Sequence, residues 1–365
     1  MHSSNLLYTI GVSLIPGVGC ITAKKLIAYI GSVEGIFKEK KAALMKVPGI
    51  GEILAIEISK SNVLAQAEEE IAFIEKYNIK ASCYFDKDYP SRLKLCPDAP
   101  LVLFIKGNID LENQKVISIV GTRNATDYGK SFCENLIESM AQKKHNAIIV
   151  SGLAYGIDIA AHKAALKHKL ETVACLAHGL KSIYPKTHDK YAREIIQNGA
   201  LVTEFTSTTT VDRAYFVRRN RIIAGLADAT IVVESGQKGG SLITAEFANS
   251  YNRDVFAVPG PIDRDSSKGC NKLIKINKAS LLENVEDLEY MLGWESKKTA
   301  VQRKLFADDP DEQKIIDTIR TYGELPIDLL CSYADLPANK ISPILLNMEF
   351  SGIVKSLPGK MYKLL

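Results

Sequence analysis

Six short runs rich in β-branched residues lie between positions 116 and 260, and they constrain the fold more than any other feature of the chain. They read VISIVG, AIIVSG, TVACLA, ALVTEF, ATIVVES and DVFAVPG. Runs this apolar are typical of strands buried on both faces of a sheet, and amphipathic helical segments alternate with them. We therefore expect an α/β fold with an extended, Rossmann-like, doubly wound parallel sheet.

Four segments are predicted along the chain, because 365 residues exceed one ordinary domain. They are an all-α domain over 1–78, the extended Rossmann-like domain over 79–292, a polar linker over 293–310 and a winged-helix-like domain over 311–365. The last should contain helices over 313–321, 327–333 and 337–351 and a hairpin turning at Pro358-Gly359. Its third helix carries Lys340 against Glu349, a poor surface for reading DNA, so a protein-contact role competes with duplex binding.

A near-repeat marks the first segment, where PGVG at 16–19 and PGIG at 48–51 each precede a helical pattern. The pair predicts two helix-hairpin-helix elements, in which glycines let the backbone approach a DNA phosphate. The candidates for such duplex or backbone contact are Gly17, Gly19, Lys24, Gly49 and Gly51. The alternative is a tight turn that needs glycine only for its positive φ, and the acidic Glu52 after the second hairpin favours that alternative.

Bulk composition excludes several protein classes. With 46% hydrophobic and 24% charged residues the chain is neither disordered nor a membrane protein, and its net charge of +4 suits an anionic partner without naming one. Residues 1–7 lack the features of a secretory leader, and no apolar run approaches the roughly 18 residues of a membrane span. Seven scattered cysteines without a C-x-x-C pair predict reduced thiols. We expect a cytoplasmic protein.

Small, glycine-bearing loops follow three of the predicted strands, at 121–126, 151–158 and 235–241. In open parallel sheets, ligands bind beyond the carboxyl ends of the strands, where helix N-termini present free N–H groups. Arg123 and Lys238 add positive charge to two of the loops. The three loops together predict a cradle for phosphate groups.

A basic segment, RAYFVRRNRIIAGLAD, follows the fourth strand and places Arg213, Arg218, Arg219 and Arg221 within nine positions. Arginine binds phosphate bidentately, and the interleaved Tyr215 and Phe216 offer faces on which bases stack. The alternatives are a solvated basic helix face and, for Phe216, a place in the core.

Enzyme motifs fail on their spacing. Gly121 stands too far from Gly129-Lys130 for a Walker A loop, and Ser151 lacks the glycine that a nucleophile elbow places two residues before the serine. His162 and His168 do not have metal-ligand spacing. Four acids could act as caps or loop-orienting groups as readily as catalysts: Asp158, Glu204, Glu234 and Glu246. No catalytic residue, metal or cofactor is expected.

The ordered motifs DYPSRL, DAPLVLFIKG, GTRNATDYG, SGLAYGID, FVRRNRIIAGLAD, GSLITAEFA and RDVFAVPGPI resemble the DprA (Smf) family of DNA-processing proteins from about residue 84 to 282. The resemblance implies a non-catalytic homodimer that binds single-stranded DNA in a basic pocket and loads the RecA recombinase. Carried over by position, the strand-binding residues would be Gly121, Thr122, Arg123, Ser151, Gly152, Arg218, Arg219, Asn220, Arg221, Lys238, Gly239, Gly240, Ser241 and Asn271.

One departure and one alternative accompany that resemblance. In the segment AHGLKSIYP, Lys181 stands where the family usually has an aspartate. The alternative function is that of a nucleotide-processing Rossmann enzyme, similar to the phosphoribohydrolases that release a base from a nucleoside monophosphate. Those enzymes carry a G-G-x-G-T-x-x-E loop, whereas here Leu242 and Ile243 replace the internal glycine and threonine, which argues against catalysis.

Overall fold

The computed structural model describes residues 2–112, 115–294, 309–351, 353–357 and 360–364. These residues form two compact units, Met1–Leu288 and Glu289–Leu365. The predicted linker is described only at its ends, since 295–308 lie outside the described residues, as does the predicted turn at 358–359.

A sheet of nine described strands organises the first unit, in the order β1-β2-β6-β5-β4-β3-β7-β8-β9. Strands β3 to β9 run parallel, whereas β1 and β2 extend the β6 edge in antiparallel fashion. Every predicted run contributes a strand, and residues 80–107, which precede these runs, supply β1 and β2. The strands are β1 Lys80–Cys83, β2 Val102–Gly107, β3 Lys115–Val120, β4 Ala147–Ser151, β5 Thr172–Cys175, β6 Gly199–Thr203, β7 Ala229–Val232, β8 Asp254–Ala257 and β9 Ser280–Leu281.

Helices cover both faces of this sheet, as the doubly wound prediction requires. On one face α9 and α10 pack on buried residues of β5 and β6, with α8 against α9. On the other, α7, α11, α12 and α13 bury their apolar sides on the central strands. These helices are α7 Ser91–Lys94, α8 Asp127–Gln142, α9 Ile157–Lys167, α10 Asp189–Gln197, α11 Arg213–Leu226, α12 Gly240–Ser250, α13 Lys268–Lys275 and α14 Val285–Met291, with short 3-10 turns at Lys186–His188 and Asp265–Ser267.

The six N-terminal helices belong to the same compact unit as the sheet. Their core residues share one cluster with Leu101, Val102 and Phe104 of the β2 region, so the predicted domains 1–78 and 79–292 pack as one body. The helices are α1 His2–Leu14, α2 Cys20–Ile30, α3 Val33–Lys38, α4 Lys41–Leu44, α5 Glu52–Lys60 and α6 Leu64–Lys76.

The second unit folds as the predicted winged helix. Three helices enclose a core that includes Ile315, Leu330 and Leu345, and a small antiparallel sheet of order β10-β12-β11 completes it. Its elements are α15 Pro310–Tyr322, β10 Leu325–Pro326, α16 Ile327–Ala334, α17 Ala338–Phe350, β11 Val354–Leu357 and β12 Met361–Leu364.

Two further observations concern the cysteine thiols and the lengths of the helices. All seven cysteines are free thiols, and five of them are buried. Among the described residues, the helices are too short or too polar to cross a membrane.

Candidate functional site

A pocket of about 700 Å³ opens where the strand order reverses, between the carboxyl ends of β3 and β7. We call it the cradle pocket. This is the position at which doubly wound sheets bind ligands. It is lined by Val120, Gly121, Thr122, Arg123, Ala154, Asp158, Tyr184, Val211, Arg213, Phe216, Val217, Arg219, Asn220, Ile223, Lys238, Gly239, Gly240, Ser241 and Thr244.

The loop after β3 forms one wall and is held by a buried carboxylate. Glu234 accepts hydrogen bonds from the Thr126 amide at 2.9 Å and the Thr126 hydroxyl at 2.6 Å, while its own carbonyl accepts from Thr122 N at 2.7 Å. A Cβ on Gly121 would lie 2.4 Å from Ile157, so only glycine fits there. Arg123 is thereby left exposed at the pocket. Glu234 orients the loop, one of the non-catalytic roles expected for it.

The loop after β7 forms the opposite wall and ends in an open helix N-terminus. Gly239 is the N-cap of α12 and has no side-chain cap, so the first amides of the helix have no side-chain partner there. The Ser241 hydroxyl donates to Ser235 Oγ at 2.9 Å, which fixes the turn. Lys238 is exposed beside it. Free amides, a helix dipole and a cation together favour an anion.

Helix α11 supplies the third wall with one of its faces. Arg213, Phe216, Val217 and Asn220 recur at i, i+3, i+4 and i+7 and all line the pocket. The Arg123 guanidinium lies 4.9 Å from the centre of the Phe216 ring. Tyr184 meets the same ring edge-on, 6.0 Å between centroids. The pocket thus combines cations with aromatic faces.

A buried arginine and a buried aspartate form the floor. Arg219 donates through Nη1 to the Gly152 carbonyl at 2.6 Å and to the Cys175 carbonyl. Burial lowers the pKa of the Arg219 guanidinium, and nearby Asp158 opposes that shift. Burial likewise raises the pKa of Asp158, against the pull of Arg219. Arg219 is therefore held in place beneath the pocket, with the Asp158 carboxyl group beside it.

The structure brings together nine of the fourteen predicted strand-binding residues: Gly121, Thr122, Arg123, Arg219, Asn220, Lys238, Gly239, Gly240 and Ser241. The other five lie outside the lining. Gly152 acts indirectly, because a Cβ there would lie 2.4 Å from Arg219 Nη1. Buried Ser151 donates to the Ile119 carbonyl at 2.6 Å. Asn271 bonds the Gly260 amide and carbonyl, so it ties down a loop.

Arg218 and Arg221 depart most from the prediction, because both bind Glu204. Their guanidinium groups lie 2.7 and 2.6 Å from the same carboxylate oxygen of Glu204, a side chain only 2% exposed. Arg221 is itself buried and also donates to the Asp98 carbonyl. Arg221 thus forms a buried structural ion pair with Glu204, and the more exposed Arg218 binds the same carboxylate.

The hairpin candidates divide in the same way. Gly17 and Gly49 have φ values of 78° and 91°, which fits the tight-turn alternative. Gly19 and Gly51 are N-caps of α2 and α5 with open space around them. Lys24 has other partners, since its Nζ donates to the Pro97 carbonyl at 3.3 Å and lies 3.9 Å over the Tyr84 ring.

Comparison with known proteins gives the family. The model for DNA recombination-mediator protein A matches residues 80–293, the DprA winged helix domain matches 299–360, and a SAM-like helix-hairpin-helix tandem matches 12–60. The chain belongs to the DprA/Smf family. The predicted resemblance is confirmed.

Individual DprA/Smf relatives agree with this assignment. Protein Smf of Synechocystis sp. is 35% identical over 333 residues, covering 89% of this chain and 80% of the relative. The X-ray structure of DprA from Streptococcus pneumoniae superposes with a TM-score of 0.68 at 30% identity, covering 78% of this chain and 97% of that one. DprA from Helicobacter pylori, described for its single-stranded DNA binding mode, gives 0.53 at 28% identity, covering 60% and 98%.

Four residues that line the pocket in this DprA/Smf chain are absent from the fourteen predicted strand-binding residues: Arg213, Phe216, Tyr184 and Asp158. The helical phase of α11 would have found the first two, because Arg213 and Phe216 share the face of Asn220. Tyr184 comes from a loop after β5, whose approach to the pocket is a tertiary contact. Asp158 was identified only as an acid without a specific role.

Proposed function

We propose that the cradle pocket binds single-stranded DNA without catalysis, with phosphates on the amides and cations and bases against the aromatic rings. The observation that carries this is the position of the Phe216 ring between two arginines. Its centre lies 4.9 Å from the Arg123 guanidinium and 5.9 Å from that of Arg219, in a pocket that the open N-terminus of α12 also lines. An apolar ring face and neighbouring cations suit a strand with unpaired bases better than a duplex. The DprA structure from Helicobacter pylori, described for its single-stranded DNA binding mode, supports the same ligand.

The strand-contacting residues are proposed to be the nine that line the pocket together with Arg213 and Tyr184. Five predicted residues are excluded from that set because they do not line the pocket: Ser151, Gly152, Arg218, Arg221 and Asn271. Contact between duplex DNA and the hairpin glycines Gly19 and Gly51 stays a prediction.

We further propose that the protein works in the cytoplasm as a homodimer and passes its strand to RecA. Membership of a recombination-mediator family supports the RecA step, and seven free thiols suit a reducing compartment. Light scattering on purified protein tests the dimer, because a mass near the 40.1 kDa of one chain would contradict it.

The phosphoribohydrolase alternative gains no support from the site. Glu246, the acid of the corresponding loop, is exposed and is not among the residues that line the pocket. Release of free base from AMP or GMP by the purified protein would reinstate that alternative.

Fluorescence anisotropy with labelled oligo-dT and a hairpin duplex tests the proposal. We expect tighter binding to oligo-dT, and a loss of about fivefold or more in Lys238→Ala, since a phosphate partner is removed. The matched control is Lys130→Ala, an exposed lysine of α8 that lies outside the pocket and pairs with Asp127. Equal affinity for both DNAs, or equal losses in both variants, would overturn the proposal.

A further inference from the structure

A second cavity, of about 280 Å³, lies beside the paired strands β2 and β6, between the end of α6 and helix α10. We call it the α6–α10 cavity. Its floor is apolar and buried, formed by Ile79, Ala192 and Leu201, with half-buried Phe73 and Ile196 at its sides. It shares no lining residue with the cradle pocket. It is therefore a separate site with apolar surface available to a side chain.

Positive charge surrounds this apolar floor. Lys106, Lys181 and Arg193 line the cavity, against Asp189 as its acidic member. Arg193 pairs with Asp189 at 2.6 Å, and Lys106 donates to the backbone carbonyl of Tyr77. Lys181 is exposed, and within the described residues no carboxylate forms a salt bridge with it. The rim therefore has a net positive charge and one lysine ready for a new acidic partner.

An aromatic pair stands at one side of the opening. The Phe73 and Tyr77 rings lie 4.6 Å apart between centroids, and Tyr77 is 47% exposed. Such a pair adds contact surface for a bulky apolar side chain. Interfaces commonly place one apolar anchor in a pocket and charged groups at its rim.

We propose that the α6–α10 cavity binds an acidic peptide segment of a partner protein. One bulky apolar side chain of that segment enters the cavity, and its carboxylates meet Lys181, Lys106 and Arg193. A nucleic acid fits less well, because Asp189 puts a carboxylate in the first turn of α10, where a phosphate would otherwise find helix amides. The cradle pocket, by contrast, leaves its helix N-terminus open.

Lys181 is the rim residue best suited to a test. It lies in the segment AHGLKSIYP, is exposed, and forms no salt bridge among the described residues. An aspartate there would lower the positive charge of the rim by two units relative to lysine. The variant Lys181→Asp therefore removes the feature on which the proposed specificity depends while changing only an exposed side chain.

The test is an anisotropy titration of the full chain with a fluorescein-labelled Asp-Asp-Glu-Leu-Phe peptide. We expect saturable binding that weakens with salt, and little binding of Lys-Lys-Lys-Leu-Phe or Asp-Asp-Glu-Ala-Ala. Lys181→Asp should bind about fivefold more weakly, because a favourable rim charge is replaced by a repulsive one. The matched control Lys190→Asp, an exposed α10 lysine outside the cavity, should bind like wild type.

A second variant and a second ligand keep the outcome decisive. Phe73→Ala should also weaken peptide binding, and its thermal unfolding reports whether the fold is intact. Both cavity variants should keep wild-type affinity for oligo-dT, which separates this site from the cradle pocket. Failure of the acidic peptide to bind, equal loss in Lys181→Asp and Lys190→Asp, or displacement of the peptide by oligo-dT would overturn the proposal.

Discussion

Helix α11 has two faces that use the same kind of side chain in different ways. One face turns Arg213, Phe216 and Asn220 into the cradle pocket, with Arg219 beneath them, whereas the other directs Arg218 and Arg221 to Glu204. Arg213 on the first face is exposed and available to an anionic ligand, whereas Arg221 on the second is already paired with a buried carboxylate. Local charge density in a sequence therefore does not identify a binding surface until helical phase and tertiary partners are known.

We call the face of α11 that carries Arg218 and Arg221 the structural face, and the face that carries Arg213, Phe216 and Asn220 the pocket face. The largest expected effect comes from a substitution on the structural face. Arg221→Ala leaves Glu204 buried without its buried partner, so the free energy of unfolding should fall by about 3 kcal/mol. Urea denaturation measures this loss. Oligo-dT affinity of the folded variant should change by less than about twofold, since Arg221 lies outside the pocket. If Arg221→Ala kept its stability but lost oligo-dT binding, Arg221 would be a DNA-contacting residue and its structural assignment would be wrong.

The next effect concerns His162, a fully buried residue of α9 near Arg219. Burial lowers the pKa of His162 to about 3, so the folded state excludes a proton that the unfolded state binds below pH 6.5. The free energy of unfolding should therefore fall as the pH drops from 6.5 toward 3. Between pH 7 and pH 5 this histidine should account for a loss of about 2 kcal/mol.

His162→Gln isolates this contribution. Urea midpoints of wild type and variant at pH 7, 6 and 5 should show a shallower decline in the variant, because glutamine does not titrate. Parallel declines in the two proteins would mean that other groups carry the acid sensitivity and that the His162 assignment is wrong.

A smaller effect is expected for Arg123→Ala on the pocket side. The variant loses one phosphate partner and the contact with Phe216, so oligo-dT should bind about tenfold more weakly. The slope of log K against log salt should decrease by about 0.7 in magnitude, the value for one phosphate contact on a single strand. An unchanged slope would show that Arg123 does not neutralise a phosphate.

The smallest effect is predicted for Arg218→Ala on the structural face. Its side chain is 47% exposed and Glu204 keeps Arg221, so the free energy of unfolding should fall by less than about 1 kcal/mol. Oligo-dT affinity should stay within about twofold of wild type. A tenfold loss, equal to that of Arg123→Ala, would erase the distinction between the two faces.

The sheet was predictable from sequence because buried parallel strands require apolar, β-branched runs, and each of the six runs contains a strand. The three loops were predictable for a related reason, since glycines and small residues at strand ends permit a close backbone turn. The partners of Arg221 and Asn271 were not, because Glu204 and Gly260 become neighbours only through tertiary folding. The packing of the N-terminal helices on the β2 edge is equally non-local, so the boundary near residue 78 could not reveal it.

Hydrogen exchange of the backbone amides, measured with and without saturating oligo-dT, tests the central claim most directly. If the strand lies in the cradle pocket, peptides spanning 121–126 and 236–241 should become protected, because their free amides acquire phosphate partners. Protection confined to the hairpins at 16–19 and 48–51, with both pocket loops unchanged, would contradict it.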